Sequence, residues 1–270
     1  MPEGDSLFRA AERLVPIVGG ALVRLGAPTL RGSRPRAGET IDAVRASGKH
    51  LLIEFSGGLT LDTHLGMAGR WSIVGPVPVA GDPPPASSPH LLRVELVVDR
   101  DEQRWAARCS SAPTVRTMPT ARVGERIEDR LGPDLMRSQA DLDECLRRWE
   151  ELIGADAVVA DALLDQRVAN GVGNVFMSEA CWRAHVAPIS LATSLDAATR
   201  RRLLADAATL LRANARTGPR RTVPGGVAVY GRRGRPCRRC GTPITSARVG
   251  RFQRSAYWCP RCQPDAAAPR

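Results

Sequence analysis

Four cysteines toward the C-terminus stand at the spacing Cys237-x2-Cys240-x18-Cys259-x2-Cys262. Each C-x-x-C turn can offer two thiolates to one tetrahedral ion, and zinc is the metal this pattern takes. Four protein ligands leave no open coordination position, so such a zinc is structural. The insert suits a β-hairpin with Phe252 to Trp258 as one strand, and eight arginines between 232 and 254 surround it, facing a phosphate-bearing partner. At the other end, Met1 precedes Pro2, and a small second residue is the usual condition for removing the initiator methionine. The product is a secondary amine with a pKa near ~8, partly unprotonated at neutral pH. It can attack an aldehyde-like carbon and give an iminium directly. Glu3 follows as a carboxyl able to act as general acid or base. Met-Pro openings are common, so this pair says nothing alone. The third candidate is Lys49: of 39 basic side chains, 38 are arginine and this one is lysine. An ammonium is compact and can lose its proton, which a guanidinium cannot; chance survival of one lysine is the alternative. Cys109, Cys145 and Cys181 read as small core residues.

The chain has 270 residues, about two domains by length, with 43% hydrophobic and 25% charged residues. Its apolar runs fall far short of the ~18 residues a membrane span needs. No basic stretch followed by an apolar core opens it, so no secretory signal is expected. Seven cysteines, four of them in C-x-x-C pairs, suit a metal site in a reducing compartment and hence a cytoplasmic protein. The net charge of +11 is uneven: residues 201–270 carry 16 arginines against Asp206 and Asp265, a balance of +14, and the rest carries −3. A basic end of this density faces a polyanion, nucleic acid first of all. A GC-rich genome would explain arginine over lysine, but not this asymmetry.

These candidates need elements to hold them. Leu7, Phe8, Ala11 and Leu14 stand at helical spacing, and Gly19-Gly20 stop that helix. Short β-type runs follow to about residue 110 (ALVRLGA, ETIDAV, HLLIEFS, LTLDTHL, RWSIVG, LLRVELVVD), an antiparallel β-domain. The Pro-rich stretch 75–89 is expected to be a mobile loop, and 111–137, with little periodicity, a connection between domains. Helical patterns then run through ADLDECLRRWEELI, ADAVVADALLDQRVA, VFMSEACWRAHV and LDAATRRRLLADAATLLRANAR. The run Asn170-Gly171-Val172-Gly173-Asn174 breaks the second from the third; Asn174 is expected to cap the next helix, whose start is a ready anion site. Ser194 is expected to cap the last. A β-domain, a helical domain and a Cys module in series suggest separate domains.

MPEG at the start, SGKHLL at 47–52, THLGMAGRW at 63–71, LLDQRVANGVGN at 163–174, and VYGRRGRPCRRCGTPI with FQRSAYWCPRCQ at 229–263 stand in one order. Together they resemble the formamidopyrimidine-DNA glycosylase and endonuclease VIII family of base-excision-repair enzymes. The resemblance implies a multidomain α and β fold: an N-terminal antiparallel β-sandwich flanked by helices over 1–120, a linker over 121–137, a helix–two-turn–helix DNA-binding domain over 138–220, and a C-terminal four-cysteine zinc-finger β-hairpin over 228–264. It implies a bifunctional glycosylase and AP lyase, one structural zinc, double-stranded DNA bearing a damaged base or abasic site as partner, a monomer, and a place at the nucleoid.

Residue by residue, it implies Pro2 as the nucleophile, Glu3 as the proton-transfer carboxylate, and Lys49 as a catalytic lysine beside the sugar and its phosphate. Arg254, stabilising charge on the sugar-phosphate, forms with Asn174 a phosphate clamp. His64 stands near a phosphate and Met67 acts as a wedge in the stack; a satisfied strand histidine and a core methionine are the alternatives. Two departures matter. Ser6, with Asp5 beside it, stands where members often carry Glu, and 101–116 lacks the Asp-Pro-Arg-Arg-Phe-Gly type motif that supplies further wedges in purine-specific members. The second departure, with the MPEGD opening, tilts the expectation toward the endonuclease VIII branch and oxidised pyrimidines. A purine-directed enzyme of the same fold, and a non-catalytic zinc-ribbon binder of damaged DNA, are the competing readings.

Overall fold

A computed structural model describes residues 2–216 and 218–265; the expected removal of Met1 lies outside them. The chain divides into two compact units, Met1–Asp129 and Arg130–Arg270.

In the first unit, α1 (Gly4–Leu14) is followed by eight strands: β1 (Ala21–Gly26), β2 (Ile41–Ser47), β3 (His50–Phe55), β4 (Leu59–His64), β5 (Arg70–Pro78), β6 (Leu92–Arg100), β7 (Gln103–Ser110) and β8 (Thr114–Pro119). They form two four-stranded antiparallel sheets, β1-β6-β7-β5 and β2-β3-β4-β8. Alternation decides which face goes inward. Leu51, Ile53 and Phe55 of β3, Leu61 of β4 and Val115 of β8 meet Leu22, Val94, Leu96, Val98 and Ala107 of the other sheet in one core. Leu7, Ala10, Ala11 and Leu14 of α1 enter that core too. Burying each Leu or Ile side chain fully is worth about 1.5–3 kcal/mol, so this shared core locks the sheet register. Trp71 donates its indole N–H to the Thr63 hydroxyl at 3.0 Å, which satisfies the polar atom it buries.

Two readings of this region need correction. Residues 111–137 open with β8, which pairs with β4 along its whole length. It escapes periodicity because Met118 is buried next to buried Thr117, and polar Thr117 faces the core side. The Pro-rich stretch begins inside β5, which runs to Pro78 past a bulge at residues 75–76.

In the second unit, α3 (Leu142–Leu152), α4 (Val159–Leu164), α5 (Asn174–Ala184) and α6 (Ala197–Asn214) share a core around Trp149, Leu163, Phe176, Met177, Leu203, Leu204 and Leu211. The short α2 (Val123–Arg126) precedes the division between units. The helical pattern 155–169 yields only six helical residues, because Asp165 to Gly173 are spent on a turn. Its anchor is Gln166: its Nε2 donates to the carbonyls of Leu164 at 2.8 Å and Val172 at 3.0 Å, and its Oε1 accepts from Gly171 N–H at 3.1 Å. Neither expected cap holds. Asn174 is the first helical residue of α5, with Gly173 at the cap position. Asp196, not Ser194, caps α6, accepting from Thr199 N–H at 2.7 Å. The last two strands, β9 (Thr245–Val249) and β10 (Arg254–Trp258), pair antiparallel between the two C-x-x-C turns. The strand expected from Phe252 starts at Arg254, and Phe252 lies in the turn. Among the described residues no helix is long and apolar enough to cross a membrane.

Candidate functional site

The first unit places Pro2 and Glu3 at the head of α1. The Glu3 carbonyl accepts from Ser6 N–H at 2.8 Å and Leu7 N–H at 3.2 Å, which starts the helix. Pro2 is half-buried and the Glu3 side chain is buried. Asp5 is buried as well, taking the Ser6 hydroxyl at 3.1 Å and Arg9 at 3.2 Å. Ser6 therefore caps a local acid–arginine pair. The helix packs on β2 and β3, and the turn joining those strands is Gly48-Lys49. Ser47 pairs with His50, so the loop has two residues, and Gly48 at φ 54 supplies the left-handed first position such a loop requires. Lys49 is thereby displayed at the tip of a tight hairpin, half-buried.

Next to Lys49 lies a polar group of which the sequence disclosed only one member. His50 on β3 pairs with His64 on β4, their rings edge-on with centroids 5.4 Å apart. Asp62 on β4 is fully buried and holds His50 Nδ1 at 2.9 Å, and its other oxygen accepts from Arg116 Nε at 2.8 Å. Burial pushes the Asp62 carboxyl up, but the bonds and charges of His50 and Arg116 outweigh it and leave it below the usual carboxylate range. These residues share the face of β2-β3-β4-β8 turned away from the core, because they alternate with Leu51, Leu61 and Val115. Burial, with the positive charges of His50 and Lys49, pulls His64 down to about 4, so its ring is neutral at physiological pH. Gly66 N–H donates to its Nδ1 at 3.3 Å, which leaves the proton on Nε2. His64 is thus a neutral hydrogen-bond donor within reach of the charge of Lys49. Met67, three residues on, is 68% exposed and belongs to no core. His50, Asp62 and Arg116 went unnoticed; a carboxylate in the middle of a short strand, LTLDTHL, was the available signal.

In the second unit, β10 packs on α5, and Tyr257 N–H donates to Ser178 Oγ at 3.3 Å. That brings the strand headed by exposed Arg254 onto the helix headed by buried Asn174. The segment between α6 and the first C-x-x-C turn is gripped by buried Glu179 of α5. Its carboxylate accepts from the N–H groups of Ala228, Val229 and Tyr230, each at 2.8 Å, and from the Thr222 hydroxyl. Sequence reading missed Glu179 too, although a glutamate in the middle of a buried helix was visible.

The sulfur atoms of Cys237, Cys240, Cys259 and Cys262 all lie within 4.8 Å of one another. A tetrahedron of Zn–S bonds puts sulfurs about 3.8 Å apart, so the cluster fits one structural zinc. Arg239 N–H faces Cys237 Sγ and Cys262 N–H faces Cys259 Sγ, each at 3.4 Å, which favours thiolates there. The three remaining cysteines are buried, and burial pushes the Cys109 and Cys145 thiols up to about 12.

Three family models match in series: the formamidopyrimidine-DNA glycosylase N-terminal domain over residues 1–109, the H2TH domain of that glycosylase over 131–222, and the zinc finger found in FPG and IleRS over 234–264. A Streptomyces coelicolor protein named "Probable endonuclease 8 2" is 36% identical over 278 residues, covering 99% of this chain and 95% of its own length. This chain belongs to the formamidopyrimidine-DNA glycosylase family. Another relative, the "DNA-(apurinic or apyrimidinic site) lyase Nei2" of Mycolicibacterium smegmatis, is 34% identical, with 97% of this chain and 99% of that protein covered. The crystal structure of MutM (Fpg) from Thermus thermophilus superposes with a TM-score of 0.76 at 27% identity, over 99% of this chain and 100% of that one. In this family member the loop between β7 and β8 is only Ser111-Ala112-Pro113, with Ala112 buried. The stretch 101–116 is spent on strands and offers no long loop for further wedges.

Proposed function

We propose that this chain excises oxidised bases, pyrimidines above all, from duplex DNA and cuts the strand through an iminium on Pro2. Its family makes it a base-excision-repair DNA glycosylase with AP lyase activity; the lesion and the residue roles are the proposal. A base within the stack is out of reach, so its nucleotide is turned out of the duplex. The Pro2 amine attacks C1′, the bond to the base breaks, and the base leaves with a proton supplied through Glu3; the C1′–O4′ bond then opens, O4′ taking the proton lost from the Pro2 nitrogen, which leaves the iminium. The iminium acidifies the C2′ protons. Loss of one expels the 3′ phosphate, and δ-elimination then expels the 5′ phosphate. Lys49, and Arg254 with Asn174, hold the sugar-phosphate charge; His64 donates to a phosphate from Nε2, and Met67 fills the vacated stack. Zinc folds the hairpin and takes no part in the chemistry. The protein works as a monomer on chromosomal DNA in the cytoplasm, drawn by its basic C-terminal quarter.

The observation that carries this reading is the packing of α1, headed by Pro2-Glu3, on the two strands whose turn displays Lys49. The short β7–β8 loop supports the pyrimidine preference. Borohydride trapping on duplexes that each carry one defined lesion tests both parts. A covalent adduct on oxidised pyrimidines, absent for Pro2→Gly, is expected. Adducts confined to 8-oxoguanine and formamidopyrimidines would transfer the chain to the purine-directed reading, which the relatives named formamidopyrimidine-DNA glycosylase favour.

A further inference from the structure

The tip of the zinc hairpin, Gly250 to Gln253, is held more firmly than a surface turn needs to be. Arg251 N–H donates to the buried Asp161 carboxylate at 2.8 Å, and the Arg251 guanidinium pairs with buried Asp165. Gly250 sits so close to Asp161 that a Cβ there would collide with its carboxylate. Gln253 takes a left-handed φ of 47, and its amide returns to the Gly250 carbonyl at 2.7 Å. The adjoining Val249, with Ala256 and Trp258, belongs to the helical core. The tip therefore cannot fold away from where α4 holds it.

Phe252 projects from this rigid turn. It is 42% exposed, with the Arg251 guanidinium 4.7 Å from its ring centroid. Because Asp165 fixes that guanidinium, the ring lies against a fixed cation. A scattered exposed phenylalanine needs no explanation. This one stands on a pinned turn, flanked by exposed Arg248 and Arg254, in a strongly basic hairpin. A ring under a guanidinium beside phosphate-binding arginines is a stacking surface for a nucleobase.

We infer that Phe252 stacks on a nucleobase of the DNA next to the phosphate held by Arg254, a wedge supplied by the zinc hairpin. This rests on the proposed DNA reading.

The test uses the zinc-loaded full chain and a duplex with a stable abasic-site analogue. Phe252→Ala is expected to weaken binding about tenfold with the salt dependence unchanged, because no phosphate contact is lost. Arg254→Ala should instead flatten the slope of log affinity against log salt by about one. Phe252→Trp should keep wild-type affinity, and the fluorescence it adds over wild type should be quenched by DNA. Wild-type affinity in Phe252→Ala, or unchanged added fluorescence in Phe252→Trp, overturns the inference. Borohydride trapping of the wild type is run alongside: if that fails, the glycosylase reading falls; if it succeeds while Phe252→Ala binds normally, only the wedge falls.

Discussion

The β2–β3 hairpin and the zinc hairpin both present cations from tight turns, but they are held in place by opposite means. Lys49 tips the β2–β3 turn, and His50 and His64 stand on one side of a sheet whose other side is Leu51, Ile53 and Leu61 in a core of two sheets and a helix. Their placement is underwritten by burial, which is non-directional and shared among many side chains. The zinc hairpin has strands of five residues, a small cluster of its own, Ala228, Val229 and Ile244 with the cysteines, and only Val249, Ala256 and Trp258 in the helical core. It is fixed by the metal and by three buried carboxylates, Asp161, Asp165 and Glu179. Directional contacts are few, and losing one leaves a buried charge or donor unpaired, so damage there should be abrupt.

Zinc removal, or Cys259→Ser, should show the largest effect. DNA binding is expected to disappear, because a module with so little core folds through its metal, while amide protection in β2–β4 stays as it was. Fluorescence anisotropy with hydrogen exchange reads both, and retained affinity after complete zinc loss would break the contrast. Lys49→Arg comes next: the fold should be untouched, yet single-turnover excision of an oxidised pyrimidine should fall about a hundredfold from misplacement alone. Cleavage at a preformed abasic site should suffer less, since the aldehyde is already there. Near-wild-type excision would return Lys49 to an ordinary survivor.

A matched pair sharpens the comparison further. Glu179→Gln removes the charge that four donors share and should cost several degrees in the melting of the second unit, with zinc content preserved. Asp62→Asn, which frees His50 and Arg116 on a sheet held by its core, should cost less stability and slow abasic-site cleavage about fivefold; the reverse ranking in calorimetry would sink the contrast. The smallest effect is in pH dependence. His64 titrates near 4 when folded, against 6.5 unperturbed. Between those values the unfolded chain binds more protons, so stability falls as pH drops through that window. His64→Gln should lose less stability from pH 6.5 to 4, and parallel denaturation curves would refute the assignment.

Much of this was written in residue types. The C-x-x-C spacing named its metal, the types of Pro2, Glu3 and Lys49 limited the chemistry open to them, and alternation marked most of the strands. Failures came where local pattern competes with long-range contact. β8 was passed over because its burial is set by pairing with β4, not by its own alternation. Asn174 and Ser194 looked like caps, but Gly173 and Asp196 take those positions, since cap identity turns on one or two residues of register.

Sequence alone determined which reactive groups the chain carries, the order of the parts and the spacing of the zinc ligands, because covalent identity and short spacing survive in one dimension. Tertiary structure alone decided which polar residues work together. Asp62 meets Arg116 across 54 residues and His50 across 12, and Arg251 reaches Asp165 across 86. Strand pairing and helix packing create those neighbours, and their pairwise energies exist only after the chain has closed the loops between them.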